Sequence, residues 1–223
     1  MDFDLISKTA LFSGCSSSEV KQMLECLEYT IRTYQKDEII CSRGRVITEV
    51  GIILSGSAQI ESDDIWGNRS VLSVVGPGGI FAEAYACVPD EPLMVNVVAN
   101  DNCEILFLNM EKIFGADGTA CPFHSKFIQN LIIVCARNNL ELSHRIFHTS
   151  SKTIRGRLMS YFSQQVSLQK SDKITIPFDR QQLADYLGVD RSALSKELGK
   201  MKQDRLLDYH KNQFELKSGF LKV

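Results

Sequence analysis

The side chains whose types and spacing carry the most chemistry lie between residues 179 and 198. The run is Asp179-Arg180-Gln181-Gln182-Leu183-Ala184-Asp185-Tyr186-Leu187-Gly188-Val189-Asp190-Arg191-Ser192-Ala193-Leu194-Ser195-Lys196-Glu197-Leu198. Asp179 with Gln182 three residues on has the spacing of a capping box. Leu183, Ala184 and Leu187 form an inner face, and the small Ala184 lets a second helix cross closely. Gly188 supplies the positive φ of a sharp helix end. Asp190 then caps a second helix whose inner residues are Leu194 and Leu198. This helix-turn-helix grammar turns Arg191, Ser192, Ser195 and Lys196 outward together. Arg can bind guanine O6 and N7 bidentately, Ser can bond a base edge, and Lys can reach bases or phosphate. Arg180 and Gln181, at the start of the first helix, are placed to hold phosphates. The pattern predicts contact with double-stranded DNA; the plainer reading is an ordinary solvated helix pair.

The elements around this run must hold it in place. Ile154 to Val166 reads as an amphipathic helix, and Ile174-Thr175-Ile176-Pro177 as a short extended stretch. Leu206 to Tyr209 and Gln213 to Leu216 read as a hairpin around His210-Lys211-Asn212, which makes the motif a winged variant. Residues 150 to 223 hold 14 Lys and Arg against 8 Asp and Glu, whereas residues 1 to 149 hold 11 against 19. An acidic front and a basic tail argue for two modules, the second facing a polyanion.

The front half has another texture. Val20, Met23, Leu24 and Leu27 follow helical spacing behind Ser16, Ser17 and Glu19. From 29 to 109, short β-rich runs recur: Glu38 to Cys41, Val50 to Leu54, Ala58 to Ile60, Ser70 to Val75, Val95 to Ala99 and Glu104 to Leu108. Turns at Ser55-Gly56-Ser57, Trp66-Gly67-Asn68 and Gly76-Pro77-Gly78-Gly79 separate them. A long helix follows, in which Ile128, Ile132, Cys135, Asn139, Leu142 and Ile146 advance by alternating fours and threes. That is a coiled-coil seam carrying one polar Asn, which predicts a homodimer. Phe127, Leu131 and Val134 form a second stripe beside it, available to pack on the β-rich part.

Composition removes several classes. With 223 residues, 44% hydrophobic and 23% charged, the chain is neither disordered nor low in complexity. The longest strongly apolar run, Leu131 to Ala136, is far too short for a membrane span. The opening MDFDLISK shows no secretory signal, so the seven cysteines are expected as reduced thiols in a cytoplasmic protein. None of them forms a C-x-x-C, and no paired spacing suits zinc, so no metal site is expected. No P-loop, dinucleotide fingerprint or nucleophile–base motif is present, so no enzyme activity is expected.

The whole chain resembles the bacterial Crp/Fnr family. Arg180-Gln181-Gln182-Leu183-Ala184-Asp185-Tyr186-Leu187-Gly188-Val189 is similar to the family's helix-turn-helix opening, and Thr153-Ile154-Arg155-Gly156-Arg157-Leu158 to its lead-in. Leu54-Ser55-Gly56-Ser57-Ala58 and Gly78-Gly79-Ile80-Phe81-Ala82-Glu83 resemble the cyclic-nucleotide β-roll and its phosphate cassette. The resemblance implies an α+β chain: an antiparallel β-roll over residues 1–120 that senses an effector, a dimerisation helix over 121–148, and a winged helix-turn-helix DNA-binding domain over 149–223. It implies a homodimeric transcription factor with RNA polymerase as a partner. The reading from another class is a sensor or interaction module whose helix-turn-helix no longer reads DNA.

Cyclic-AMP binders of this family follow the cassette Glu, ten residues on, with Arg and Ser or Thr. Here Glu83 is present, Ala82 replaces a Gly, and the later positions are Leu93 and Met94. A buried phosphate without a cation is costly. The Thr-Ser pair that meets adenine on the dimer helix corresponds to Leu142 and Ser143. Cyclic AMP is therefore not expected as the effector, and no cofactor is required. Glu83, Tyr85, Leu93, Met94 and Ser143 remain the candidate effector-site residues. With Val88, the apolar ones either line a pocket for an uncharged or aromatic molecule or are plain core. The cysteines do not match the family's iron–sulphur spacing, and His124, His144 and His148 read as solvated or capping residues.

Overall fold

The computed structural model describes residues 2–27, 29–63, 69–114, 123–217 and 220. It divides into two compact units, Met1–Arg137 and Asn138–Val223. These units part within one continuous helix, His124–Thr149.

The first unit opens with α1 (Phe3–Ser7), capped by the Asp2 carboxylate, then a 3-10 turn (Ala10–Phe12) and α2 (Ser17–Leu27). Ser16 and Glu19 cap α2 reciprocally: the Ser16 N–H donates to Glu19 Oε2 at 2.7 Å and the Glu19 N–H donates to Ser16 Oγ at 3.3 Å. Val20, Met23, Leu24 and Leu27 are its buried face, as their spacing predicts.

Eight strands follow: β1 (Tyr29–Tyr34), β2 (Ile39–Cys41), β3 (Glu49–Ser55), β4 (Ala58–Asp63), β5 (Arg69–Val75), β6 (Ile80–Phe81), β7 (Asn96–Ala99) and β8 (Cys103–Asn109). They form two antiparallel sheets, in the orders β1-β8-β3-β6 and β2-β7-β4-β5. The short helix α3 (Glu83–Ala86) follows β6, and α4 (Met110–Phe114) follows β8. The helix α5 (His124–Thr149) is shared by the two units.

The β3–β8 pair is buried on both faces, which is why it reads as a nearly unbroken apolar run. Ile53, Cys103, Ile105 and Phe107 join one buried cluster together with Ala58 and Val97 of the second sheet. Their neighbours Val50, Ile52, Leu106 and Leu108 join another, with α1, α2 and Phe127, Leu131 and Val134 of α5. Gly51 pairs with Phe81 across β3 and β6, and a Cβ there would stand 2.1 Å from the Phe81 ring. A glycine at 51 is what lets the tip of that ring come against the strand.

The second unit continues α5 and adds α6 (Ile154–Gln169), β9 (Lys173–Thr175), α7 (Arg180–Leu187), α8 (Arg191–Gln203), β10 (Leu207–His210) and β11 (Gln213–Leu216). The strands form a three-stranded antiparallel sheet in the order β10-β11-β9. Leu158, Phe162, Ile174, Leu183, Leu187, Leu194, Leu198, Met201 and Phe214 make one core.

One imidazole of α5, that of His148, differs from its expected role. His144 is exposed, but His148 is only 1% exposed; the side chain of His124 lies outside the described residues. His148 Nδ1 stands 2.9 Å from the Tyr186 hydroxyl, and its ring meets the Tyr161 ring edge-on at 5.4 Å. Burial, assisted by the neighbouring His144, holds it below its ordinary pKa of 6.5. Glu141 and Arg145 share its helix, and Tyr161, Gln164 and Tyr186 face it from α6 and α7. The unfolded chain takes up the proton more readily than the folded one, so stability is complete above pH 6.5 and is lost as pH falls below it. The melting temperature of the second unit should decline between pH 7.5 and 5.5. His148→Gln should flatten that decline, and an unchanged slope in calorimetry would remove His148 as its source.

Candidate functional site

The backbone of residues 179–203 folds as its capping residues dictate. Asp179 accepts from the Gln182 N–H at 2.8 Å and Gln182 Oε1 accepts from the Asp179 N–H at 2.9 Å, closing the capping box. Gly188 takes φ +63° and ends α7. Asp190 caps α8 through the N–H groups of Ser192 and Ala193, at 2.8 and 2.9 Å. Leu183, Ala184, Leu187, Leu194 and Leu198 are all fully buried. Arg191, Ser192, Ser195 and Lys196 are consequently exposed together along one face of α8.

Two arginines hold this pair from behind. The Arg145 guanidinium donates to the carbonyls of Asp185 and Tyr186, at 3.0 and 3.1 Å. Arg157 donates to those of Leu187 and Gly188, at 2.8 and 3.0 Å. These carbonyls lie at the C-terminal end of α7 and its cap, where helical donors run short and the negative end of the helix dipole lies; that of Asp185 also accepts from the Gly188 N–H at 3.3 Å. On the other flank Arg155 bonds Glu197 at 2.6 Å and Asp204 at 2.8 Å, fixing α6 to α8. Sequence reasoning missed all three roles, because their partners lie 30 to 49 residues away and no local pattern marks them.

Arg180 is placed differently from a freely exposed phosphate contact. It is half-buried, and its guanidinium lies over the rings of Tyr209 and Phe214 at 4.8 and 5.0 Å. Its Nη1 is buried with no hydrogen-bond partner, and desolvation lowers its pKa. The residue lines a cavity of about 650 Å³ with Gln181, Arg191, Pro177, Asn212 and Lys211, the last on the wing turn. Gln181 is exposed and donates to Asp185 Oδ1 at 2.8 Å. Lys211 was not singled out in the sequence, since only the folded hairpin brings it beside Arg180 and Arg191.

In the first unit Glu83 opens α3 after Ala82, whose φ is +66°. Leu93 is 2% exposed, its N–H donating to the Arg45 carbonyl at 2.9 Å and its carbonyl accepting from the Gly44 N–H at 2.7 Å. Met94 beside it is 69% exposed, Val88 is exposed and Tyr85 is half-buried. The apolar candidates are thus divided between interior and solvent. Another cavity of this unit, about 420 Å³, is lined by Arg32, Cys41, Ser42, Arg45, Glu49 and Phe107. There Arg32 pairs with Glu49 at 2.8 Å and stacks over Phe107 at 4.5 Å.

Along α5, Ile128 and Cys135 of the seam are partly buried against the first-unit core. Ile132, Asn139, Leu142 and Ile146 are exposed, and so are Ile133, Leu140 and Phe147. Ser143 is exposed on the second-unit part of the same helix. Among the described residues no group of His, Cys, Asp and Glu could hold a metal, and no helix is long and apolar enough to cross a membrane. Burial pushes the thiols of Cys41 and Cys87 up to about 11 and also raises those of Cys15, Cys103 and Cys135. Cys26 is exposed, and Cys121 lies outside the described residues.

Comparison with known proteins gives each unit a counterpart. Residues 31–116 match the cyclic nucleotide-binding domain, and residues 156–218 the Crp-like helix-turn-helix domain. The chain is 20% identical to the cAMP-activated global transcriptional regulator CRP of Haemophilus influenzae, over 81% of this chain and 80% of that protein. It is 29% identical to the human cyclic nucleotide-gated channel beta-1 over 37% of this chain, which spans 6% of that protein. Among solved structures, the catabolite activator protein of Thermus thermophilus superposes with a TM-score of 0.50 at 20% identity, over 96% of each chain. The regulator CLP of Xanthomonas campestris gives 0.58 at 16% identity, over 91% of this chain and all of that one. At these identities the likeness is one of fold. A nucleotide-binding-type β-roll and a Crp-like helix-turn-helix in one chain place the protein in the Crp/Fnr family of transcription regulators.

Proposed function

We propose that the protein is a homodimeric regulator that binds an inverted-repeat DNA operator and answers to an effector other than cyclic AMP. The observation that carries this reading is the face of α8, where Arg191, Ser192, Ser195 and Lys196 stand exposed on a helix capped at its start and clamped to α6. Arg191 and Lys196 supply the donors that guanine edges and phosphates accept. Arg180, Gln181 and Lys211 border the same cleft and serve the backbone. Arg180 lines this cleft, and a phosphate oxygen there meets the guanidinium in a charge-assisted contact. The excess of positive charge in residues 150–223 supports the same partner. RNA polymerase as a further partner, and the cytoplasm as the place of work, follow from the family alone.

Dimerisation is supported by the apolar side chains α5 leaves in water, Ile132, Leu142 and Ile146 of the seam with Ile133, Leu140 and Phe147 beside them. The native protein should sediment as a dimer at micromolar concentration. Ile132→Asp with Leu142→Asp should give a folded monomer, since both positions are exposed within one chain. A native monomer would end this part of the proposal.

The effector reading rests on Leu93, a buried apolar residue where a phosphate partner would stand. Calorimetric titration with cyclic AMP or cyclic GMP should show no binding below millimolar concentration. A micromolar Kd would overturn it and point to the cation Arg45, hydrogen-bonded to Leu93 through its backbone.

The two DNA roles separate by salt and sequence. Arg191→Ala should cost about 1–3 kcal/mol on the operator and relax one base position. Arg180→Ala should weaken operator and random DNA alike and flatten the salt slope by about one unit. Equal losses on both DNAs for Arg191→Ala would reduce that residue to a phosphate contact. Absence of DNA binding by the native protein would favour the interaction-module reading.

A further inference from the structure

Ser192 carries one more piece of information, and it rests on the regulator reading above. A serine hydroxyl has one proton and two lone pairs, so on an exposed helix face it can donate to a base or accept from one. Here the proton is already committed. Ser192 Oγ donates to Asp190 Oδ1, the same oxygen that accepts the N–H groups of Ser192 and Ala193. That carboxylate is fixed in place by its capping role, and its pKa is lowered by these bonds, led by the one from the Ser192 hydroxyl. A hydrogen bond to a carboxylate is charge-assisted and stronger than one to a neutral base acceptor. The Ser192 hydroxyl therefore keeps donating to Asp190 when DNA approaches.

We infer that Ser192 is a specificity-determining residue locked as a hydrogen-bond acceptor, which reads the exocyclic amine of cytosine or adenine in the major groove. Guanine and thymine present only acceptors at their major-groove edges, N7 and O6 or O4. Facing Ser192 they would set lone pair against lone pair, with a carboxylate directly behind. Asp190 thus does two things with one oxygen: it starts α8, and it removes the ambiguity of the serine beside it.

Base analogues test this. A binding site is first selected from random DNA with the native protein and with Ser192→Ala. The variant keeps both backbone bonds to Asp190 and adds a good helix former, so α8 should fold unchanged. One position in each half-site should lose its preference in the variant. At that position, cytosine is replaced by 2-pyrimidinone or adenine by purine, each lacking the exocyclic amine. Loss of the amine should weaken the native protein about three- to tenfold, the size of one net neutral hydrogen bond, and should leave Ser192→Ala unaffected. Replacing the purine of the same pair by its 7-deaza analogue should not distinguish the two proteins. Coupling to N7 without coupling to the amine would overturn the inference, as would an unchanged preference in the variant; in either case the regulator reading stands. Failure of the native protein to enrich any sequence would overturn both.

Discussion

The second unit depends on the capture of four carbonyls. A helix of eight residues, such as α7, cannot satisfy its last carbonyls internally, and Gly188 turns the chain away before another turn can form. Arg145 and Arg157 take the carbonyls of Asp185, Tyr186, Leu187 and Gly188 in pairs. One cation comes from α5 and the other from α6, so the C-terminus of α7 is anchored by both helices that precede it. The direction in which α8 leaves the turn, and with it the orientation of Arg191, Ser192, Ser195 and Lys196, follows from that anchoring. Arginine suits the task because its planar fork offers several donors in a fixed geometry and keeps its charge in any environment.

The first unit is built on a different economy. Its β3–β8 pair is apolar on both faces, which commits one face to the other sheet and the other to helices. The α5 side chains Phe127, Leu131 and Val134 complete the helical layer, while Ile132 and Ile133 of the same helix are exposed. A left-handed Ala82 leads into Glu83 at the start of α3. Leu93 is drawn into the interior by a two-bond bridge to residues 44 and 45.

What was legible in the sequence is what local physics specifies. The capping box at Asp179, the break at Gly188, the cap at Asp190 and the spacing of Leu194 and Leu198 each act within four residues, and each appears in the structure as read. The α2 face and the Leu207–His210 hairpin strand were visible for the same reason. Strand β1 was not, because Tyr29–Tyr34 is largely exposed and holds a single aliphatic residue, Ile31; β6 is only two residues long. His148 misled the reading because its burial is created by Tyr161 and Tyr186, which come from two later helices. Arg180 was named from the sequence as a candidate phosphate contact, but its stacking on Tyr209 and Phe214 is a property of the folded wing.

The cysteines show how burial limits what a folded chain can sense. Oxidants and electrophiles attack the thiolate, not the thiol. In Cys15, Cys41, Cys87, Cys103 and Cys135, loss of solvent holds the proton on sulfur, so at neutral pH the reactive form is scarcer than in a free thiol. These side chains serve as small hydrophobes. Among the described cysteines, Cys26 alone sits exposed on a helix. Peroxide or an alkylating agent meeting the folded molecule would therefore find most of the described thiols chemically quiet, and the β-roll is poorly suited to report redox state through the thiols in its interior.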